Sequence, residues 1–265
     1  MKKNYTPMIM MLILSSFLFD KILYDGINPK KEIVIIPIKF NETNNDTLST
    51  DNELNSRFDY VFHRFKVFNP DLDTSTVILF NNVCTHYKLD TTEEMFELCV
   101  GQILLESGAK QYYQTNHPKS GKLVVSSAGA IGITQIMPAT AYGNLKNYVS
   151  DDDIKDMLDL GCTPFNHIID STCGKSDGIK LSREWLKDER NNIILWGFIM
   201  RKKLNKRPSM LKVLVSYNAG TTGMIKFVNN GGLLNLHKYI KGIKIKLKYA
   251  EDKINDSLES LENHH

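Results

Sequence analysis

The strongest chemical signal in this sequence is Glu106, which ends an apolar run and is followed directly by Ser107 and Gly108. Glycine is a common stop signal just after a helix, so Glu106 is predicted to lie in the last turn of a helix. The helix dipole disfavours a negative charge there by about 0.3–1 kcal/mol, and partial burial would raise the pKa of the carboxyl group further. Such a group stays protonated near neutral pH and suits general acid catalysis. Taken alone, the position is also typical of an ordinary solvated glutamate.

Two further blocks follow Glu106 along the chain. Residues 129–141 read G-A-I-G-I-T-Q-I-M-P-A-T-A, and residues 216–220 read S-Y-N-A-G. Together with Glu106-Ser107 they resemble, in the same order, the three blocks of the soluble lytic transglycosylase domain family, a relative of goose-type lysozymes. The resemblance covers about residues 70–252. It implies a mainly α, lysozyme-like helical domain with a substrate groove.

The resemblance also implies roles for individual residues. Glu106 would be the catalytic acid and base, and Ser107 would help to position it or an acetamido group of the substrate. Tyr239 would hydrogen-bond the catalytic carboxyl group. Four further residues would line or face the sugar groove: Gln135, Met137, Tyr217 and Asn218. Taken alone, Met137 is also consistent with ordinary core and Asn218 with a helix cap. No metal and no cofactor are implied.

The reaction implied by the resemblance is cleavage of the β-1,4 bond between N-acetylmuramic acid and N-acetylglucosamine in peptidoglycan. The C6 hydroxyl of the muramic acid would close onto C1 and leave a 1,6-anhydro end. A lysozyme-type hydrolase of the same fold is the nearest alternative, and it would need a water-positioning carboxylate, for which Asp151, Asp152 and Asp153 are candidates. A catalytically idle glycan-binding or assembly module is the other alternative, although it would have no need of Glu106.

The first residues predict export from the cytoplasm. Lys2 and Lys3 precede a nearly apolar run at residues 7–19, which is typical of a signal peptide or an N-terminal membrane anchor over residues 1–23. The expected location is therefore periplasmic or in the cell envelope, or on a virion if the protein is phage-encoded. Peptidoglycan glycan strands are the expected partner, with secretion, conjugation or phage assembly components as further candidates. The formal net charge of only +3 argues against nucleic acid.

The remaining elements divide the chain further. Residues 24–69 are predicted to be a linker or accessory region, residues 70–253 the catalytic domain, and residues 254–265 a tail. Thr91 and Glu94 are predicted to form a capping box at the start of the helix that carries Glu106. The segment at residues 144–180 has the appearance of an insertion. Few strand signals are present, so the main domain is expected to be mostly helical.

Four cysteines fit an oxidising compartment. A disulfide between Cys162 and Cys173 could staple the polar stretch that separates them. Cys84 and Cys99 lie on two successive predicted helices, where they could pair or simply be buried. Their spacings do not match those of zinc sites, and the histidines are scattered along the chain.

Overall fold

The computed structural model describes residues 49–114 and 117–262, and these are mainly helical. The predicted signal or anchor segment at residues 1–23, and most of the predicted linker, lie outside the described residues. The helices are α1 (Ser49–Phe68), α2 (Thr74–His86), α3 (Glu93–Ser107), α4 (Pro138–Tyr148), α5 (Asp151–Asp159), α6 (Asn166–Ile169), α7 (Lys175–Trp185), α8 (Glu189–Lys206), α9 (Met210–Asn229) and α10 (Lys238–Glu262).

The helix α3 carries Glu106 in its last turn, as predicted. It ends at Ser107 because Gly108 adopts a left-handed conformation, with φ of 66°, and donates its N–H to the Leu104 carbonyl. The predicted start of this helix is wrong by one residue. Thr92, rather than Thr91, caps the helix, and its hydroxyl oxygen accepts a hydrogen bond from the Met95 N–H.

The core lies around α3, which packs along α10. Gly101 allows this close approach, because a Cβ atom at this position would lie 2.6 Å from the Cγ2 atom of Ile243. On the other side, the fully buried Trp196 of α8 stacks on Phe80 at a ring distance of 5.5 Å. This packing fixes the position of α3 relative to α10 and of α8 relative to α2.

The helix α1 belongs to the same compact unit as the rest of the described residues. Its Val61 and Phe65 are fully buried, and Arg57 forms an ion pair of 2.8 Å with Asp90. The helical unit therefore begins upstream of residue 70, where the sequence placed the start of the domain. At the other end α10 continues to Glu262, so the predicted tail is helical over most of its length.

The predicted insertion at residues 144–180 folds into the helices α5 and α6 and parts of α4 and α7. Phe165 of this segment packs edge to face against Trp185, which follows it on α7, with ring centroids 5.5 Å apart. All four cysteines are free thiols, so the disulfide considered for Cys162 and Cys173 is absent. The Trp185 indole instead holds this segment by donating to the Thr163 carbonyl over 3.0 Å. Among the described residues, no helix is both long and apolar enough to cross a membrane.

Candidate active site

The Glu106 carboxyl group is partly buried at the end of α3, where it meets α10. The Tyr239 hydroxyl donates a hydrogen bond to its Oε1 atom, across 133 residues of sequence. Burial raises the pKa of Glu106 to about 7, and the hydrogen bond from Tyr239 opposes part of that rise. The carboxyl group therefore exchanges its proton near neutral pH, as a residue that must both give and take a proton requires.

Burial and the hydrogen bond from Tyr239 are the causes of the shifted pKa of Glu106, and no carboxylate of the described residues contributes to that shift. The aspartates considered as water-positioning groups lie at the start of α5. Asp153 accepts hydrogen bonds from Ser150 and forms an ion pair of 3.2 Å with Lys202. The Asp153 carboxylate therefore caps α5 and forms an ion pair with Lys202 of α8.

Ser107 ties the end of α3 to the loop formed by residues 129–136. Its hydroxyl donates to the Ile133 carbonyl over 2.6 Å and accepts from the Lys110 N–H over 3.1 Å. Both hydrogen bonds are to the backbone, so this side chain holds the loop against Glu106. Both roles predicted for Ser107, positioning Glu106 and binding an acetamido group, stay predictions.

Two buried amide side chains fix the same loop from the other side. The Asn192 Oδ1 atom accepts from the N–H and the hydroxyl of Thr134, over 3.0 and 2.6 Å, and its Nδ2 donates to the Ile131 carbonyl over 2.9 Å. The Gln111 Oε1 atom accepts from the Ile133 N–H over 2.8 Å. A loop held by this many buried hydrogen bonds keeps one conformation.

Glycine is required at position 132 for two reasons. Its φ of 73° lies in the left-handed region, and a Cβ atom would lie 2.2 Å from the Gln111 Oε1 atom. Gln135 also has a positive φ, of 53°, although it carries a side chain. Its Nε2 atom donates to the Gly132 carbonyl over 2.7 Å. The loop is therefore shaped by its own side chains, and Gln135 is one of them.

Tyr217, on α9, contacts the same loop. Its hydroxyl donates to the Thr134 carbonyl over 2.8 Å. Burial, and then the charge of the nearby Glu106, raise the pKa of Tyr217 well above its ordinary value. The helix kinks just beyond it at Gly220, where φ is 71° and ψ is 163°. Tyr217 is thus part of a cluster that also contains Glu106, Tyr239 and the loop.

The seven predicted site residues fall into three groups. Glu106, Tyr239 and Tyr217 form one group, while Gln135 belongs to the adjoining loop and Ser107, at the end of α3, hydrogen-bonds that loop. Met137 is 37% exposed at the N-cap of α4, and Asn218 is exposed and makes no side-chain hydrogen bond within the described residues. These two are accessible to a ligand, but neither hydrogen-bonds Glu106.

Gln102, to which the sequence pattern assigned no functional role, lies one turn before Glu106 and is fully buried. Its Oε1 atom accepts a hydrogen bond of 3.2 Å from the Trp196 indole. Its Nε2 atom is buried and has no hydrogen-bond partner among the described residues. The available signal was an amide on the apolar face of α3, because a buried polar group needs a partner.

A separate cavity of about 200 Å³ lies between α2, α5 and α8. Residues that line it include Tyr87, Asp156 and Arg201, and none of the predicted site residues is among them. The candidate site is therefore defined by the contacts around Glu106 and by its pKa, and not by this cavity.

Comparison of the chain with protein-family models, with curated proteins and with solved structures finds no match. The class that the described residues define is a mainly α-helical protein with a partly buried carboxyl group at a helix end. Membership of a family stays a prediction based on the three sequence blocks.

Proposed function

We propose that this protein is a peptidoglycan lytic transglycosylase with a lysozyme-like catalytic domain. The observation that carries the proposal is Glu106 itself. Its carboxyl group has a pKa of about 7, accepts a hydrogen bond from Tyr239, and stands beside the loop that contains the second sequence block. This combination supports a single acid and base acting at one position.

In the first step, Glu106 gives its proton to the oxygen that bridges N-acetylmuramic acid and N-acetylglucosamine. The bond between C1 and that oxygen breaks, and the N-acetylglucosamine side leaves as an alcohol. The acetamido oxygen of the muramic acid stabilises the positive charge that develops at C1. A pKa near 7 keeps a substantial fraction of Glu106 protonated at neutral pH, so the acid is available for this step.

In the second step, the Glu106 carboxylate takes the proton from the C6 hydroxyl of the same sugar. The C6 oxygen then bonds to C1 and forms the 1,6-anhydro end, which restores the neutral carboxyl group and consumes no water. The Tyr239 hydroxyl stabilises the carboxylate between the two steps, because a hydrogen bond to the charged form favours it.

The absence of a second carboxylate from the causes of the Glu106 pKa shift supports this reaction over hydrolysis. Glycosidases that use water or a covalent intermediate pair two carboxyl groups about 5–9.5 Å apart. Among the described residues, no carboxylate contributes to the pKa shift of Glu106, and Asp153 is hydrogen-bonded to Ser150 and paired with Lys202. A single carboxyl group that works as acid and then as base needs no such partner.

The proposed substrate also implies where the protein acts, because peptidoglycan lies outside the cytoplasm. The basic and apolar start of the sequence supplies the expected export signal or anchor. The protein would then act on glycan strands in the periplasm or cell envelope, or on a virion. It would act in wall turnover, or it would open the wall locally for components of a secretion, conjugation or phage assembly machine.

Mass spectrometry of the products released from purified peptidoglycan tests the proposal. The wild type is expected to release anhydro-muropeptides, and Glu106→Gln is expected to release none. Glu94→Gln is the matched control, because Glu94 is an exposed glutamate in the first turn of the same helix. Products with hydrated reducing ends would indicate a lysozyme-type hydrolase. Binding without products in the wild type would indicate an idle glycan-binding module.

A further inference from the structure

We propose that the segment from the end of α9 to the start of α10 is a contact surface for an anionic membrane. This basic apolar surface comprises residues 225–241. It is separate from the signal or anchor expected at residues 1–23, and binding of lipid to it does not depend on the proposed function.

Exposed apolar side chains are concentrated in this surface. Among the described residues, twelve large apolar side chains are exposed, and four of them lie within residues 225–236. These are Ile225, Val228, Leu233 and Leu236, which are 44, 37, 62 and 53% exposed. Of the nine residues of α9 beyond the kink at Gly220, only Met224 is buried. Single exposed apolar residues are ordinary, whereas a group of them marks a binding surface.

Close packing holds the turn that carries the two leucines. The Phe227 ring packs edge to face on the His237 ring, with centroids 4.7 Å apart. Gly232 lies against the same phenyl ring, because a Cβ atom there would lie 2.6 Å from it. The Leu236 N–H donates to the Leu233 carbonyl over 2.9 Å, so these leucines are one 3₁₀ turn apart. Both leucines are therefore exposed by a defined backbone conformation.

The charge of the segment around this surface is positive. The whole chain has 33 basic and 30 acidic residues, yet residues 190–250 contain 13 basic residues and no acidic residue. Lys226, Lys238 and Lys241 flank the apolar residues in the chain and are exposed. Lysines near a membrane are attracted by anionic lipids over about one Debye length.

This combination fits an anionic lipid surface better than a glycan strand. Aliphatic side chains can enter the boundary between headgroups and acyl chains, while lysines reach the lipid phosphates. The four exposed apolar side chains have no hydrogen-bonding group to offer to a sugar. Leu236 lies three residues before Tyr239, which hydrogen-bonds Glu106, so bound lipid would hold the candidate site near the membrane.

Brominated lipids test this contact locally, because bromine on the acyl chains quenches a tryptophan only where it reaches them. In the full chain, Leu236→Trp places such a probe in the basic apolar surface. Leu258→Trp is the matched control, because Leu258 has the same exposure, 54%, on a different part of α10. It lies between Asp256 and Glu259, so its surroundings are acidic.

The vesicles contain phosphatidylglycerol and brominated phosphatidylcholine. The emission of Leu236→Trp is expected to fall roughly by half relative to unbrominated vesicles, and that of Leu258→Trp to stay unchanged. The native Trp185 and Trp196 are buried and give both variants the same background. An anchor at residues 1–23 would tether both variants equally, so their difference reports the surface alone. Leu233→Trp repeats the measurement if Leu236→Trp does not fold.

The lysines are tested by adding Lys226→Gln and Lys241→Gln to Leu236→Trp. Each lysine near an anionic lipid surface contributes about a fivefold factor to binding, so the loss of both is expected to weaken docking about 25-fold and restore most of the emission. Vesicles of brominated phosphatidylcholine alone are expected to have the same effect. Quenching that persists without the two lysines contradicts the role of charge and overturns the proposal of an anionic membrane.

Equal quenching of Leu236→Trp and Leu258→Trp, or quenching of neither, also overturns the inference. So does an emission of Leu236→Trp that responds to purified glycan strands and not to lipid, because the surface would then belong to a substrate groove. A dimer that forms with rising concentration and is abolished by Leu233→Ser would assign the surface to a second copy of the chain. None of these measurements uses the release of products, so a failure of the proposed function leaves the test intact.

Discussion

Glu106→Gln is expected to stabilise the protein, and by an amount that grows with pH. The pKa of Glu106 is about 7 in the folded protein, against 4.5 for an unperturbed glutamate. A difference of one in pKa corresponds to about 1.4 kcal/mol, so burying the carboxylate lowers the free energy of unfolding by about 3 kcal/mol at a pH well above 7. Glutamine has a similar shape and carries no charge, so it avoids this cost.

The pH window follows from the raised pKa. Below pH 4.5 the folded and unfolded states both hold the proton, and the carboxyl group contributes its full share to stability. Between pH 4.5 and about 7 the unfolded state releases the proton while the folded state retains it, so the free energy of unfolding falls. Above this window the difference between the variant and the wild type reaches its full value.

Urea unfolding, followed by tryptophan fluorescence from about pH 4.5 to about 8.5, measures this difference. The gain in stability of Glu106→Gln over the wild type should be close to its minimum at the acidic end and rise by about 2–3 kcal/mol at the alkaline end. Glu94→Gln, on an exposed part of the same helix, is the control and should show no such rise. A gain that is the same at every pH would refute the buried, proton-retaining state of Glu106.

Tyr239→Phe removes the hydrogen bond that opposes the rise in the pKa of Glu106. The alkaline limb of the pH profile of kcat/KM should therefore move to higher pH, and kcat should fall about tenfold. An alkaline limb at the wild-type pH would contradict the hydrogen bond between Tyr239 and Glu106. Asn192→Leu removes the hydrogen-bond partner of the Thr134 hydroxyl, the Thr134 N–H and the Ile131 carbonyl. Thermal unfolding should show that the free energy of unfolding falls by about 3 kcal/mol. A fall of less than about 1 kcal/mol would mean that other contacts hold the loop. Gly132→Ala should lower the free energy of unfolding by about 2 kcal/mol or more and reduce turnover. Gly121→Ala is the control for the backbone conformation alone, because Gly121 has a similar φ but no atom within 4 Å of an added Cβ. Equal falls in the two variants would mean that the clash with Gln111 is relieved.

The sequence predicted the local part of the site well. Glu106 lies in the last turn of its helix, and Gly108 ends that helix, because both features depend on neighbouring residues only. The mainly helical character of the described residues was also predicted from local periodicity. The capping residue was wrong by one position, since Thr91 and Thr92 are adjacent and only the backbone path decides between them.

The boundaries were predicted less well. Residues 24–69 were predicted to be a linker or accessory region, whereas α1 belongs to the compact unit through contacts of Val61 and Phe65 with the core. The disulfide between Cys162 and Cys173 illustrates the same limit. Spacing in the sequence permits a bridge, whereas the positions of the two backbones decide whether it forms, and here both thiols are free.

The sequence by itself therefore determined the identity of the candidate acid, its place at a helix end and the order of the blocks around it. The tertiary structure alone decided what surrounds that acid. Tyr239 reaches Glu106 across 133 residues, Tyr217 reaches Thr134 across 83, and Trp196 reaches Gln102 across 94. Helix propensity and capping act within a few residues, whereas burial and hydrogen bonding depend on which distant segments pack together, and these two effects set the pKa of Glu106.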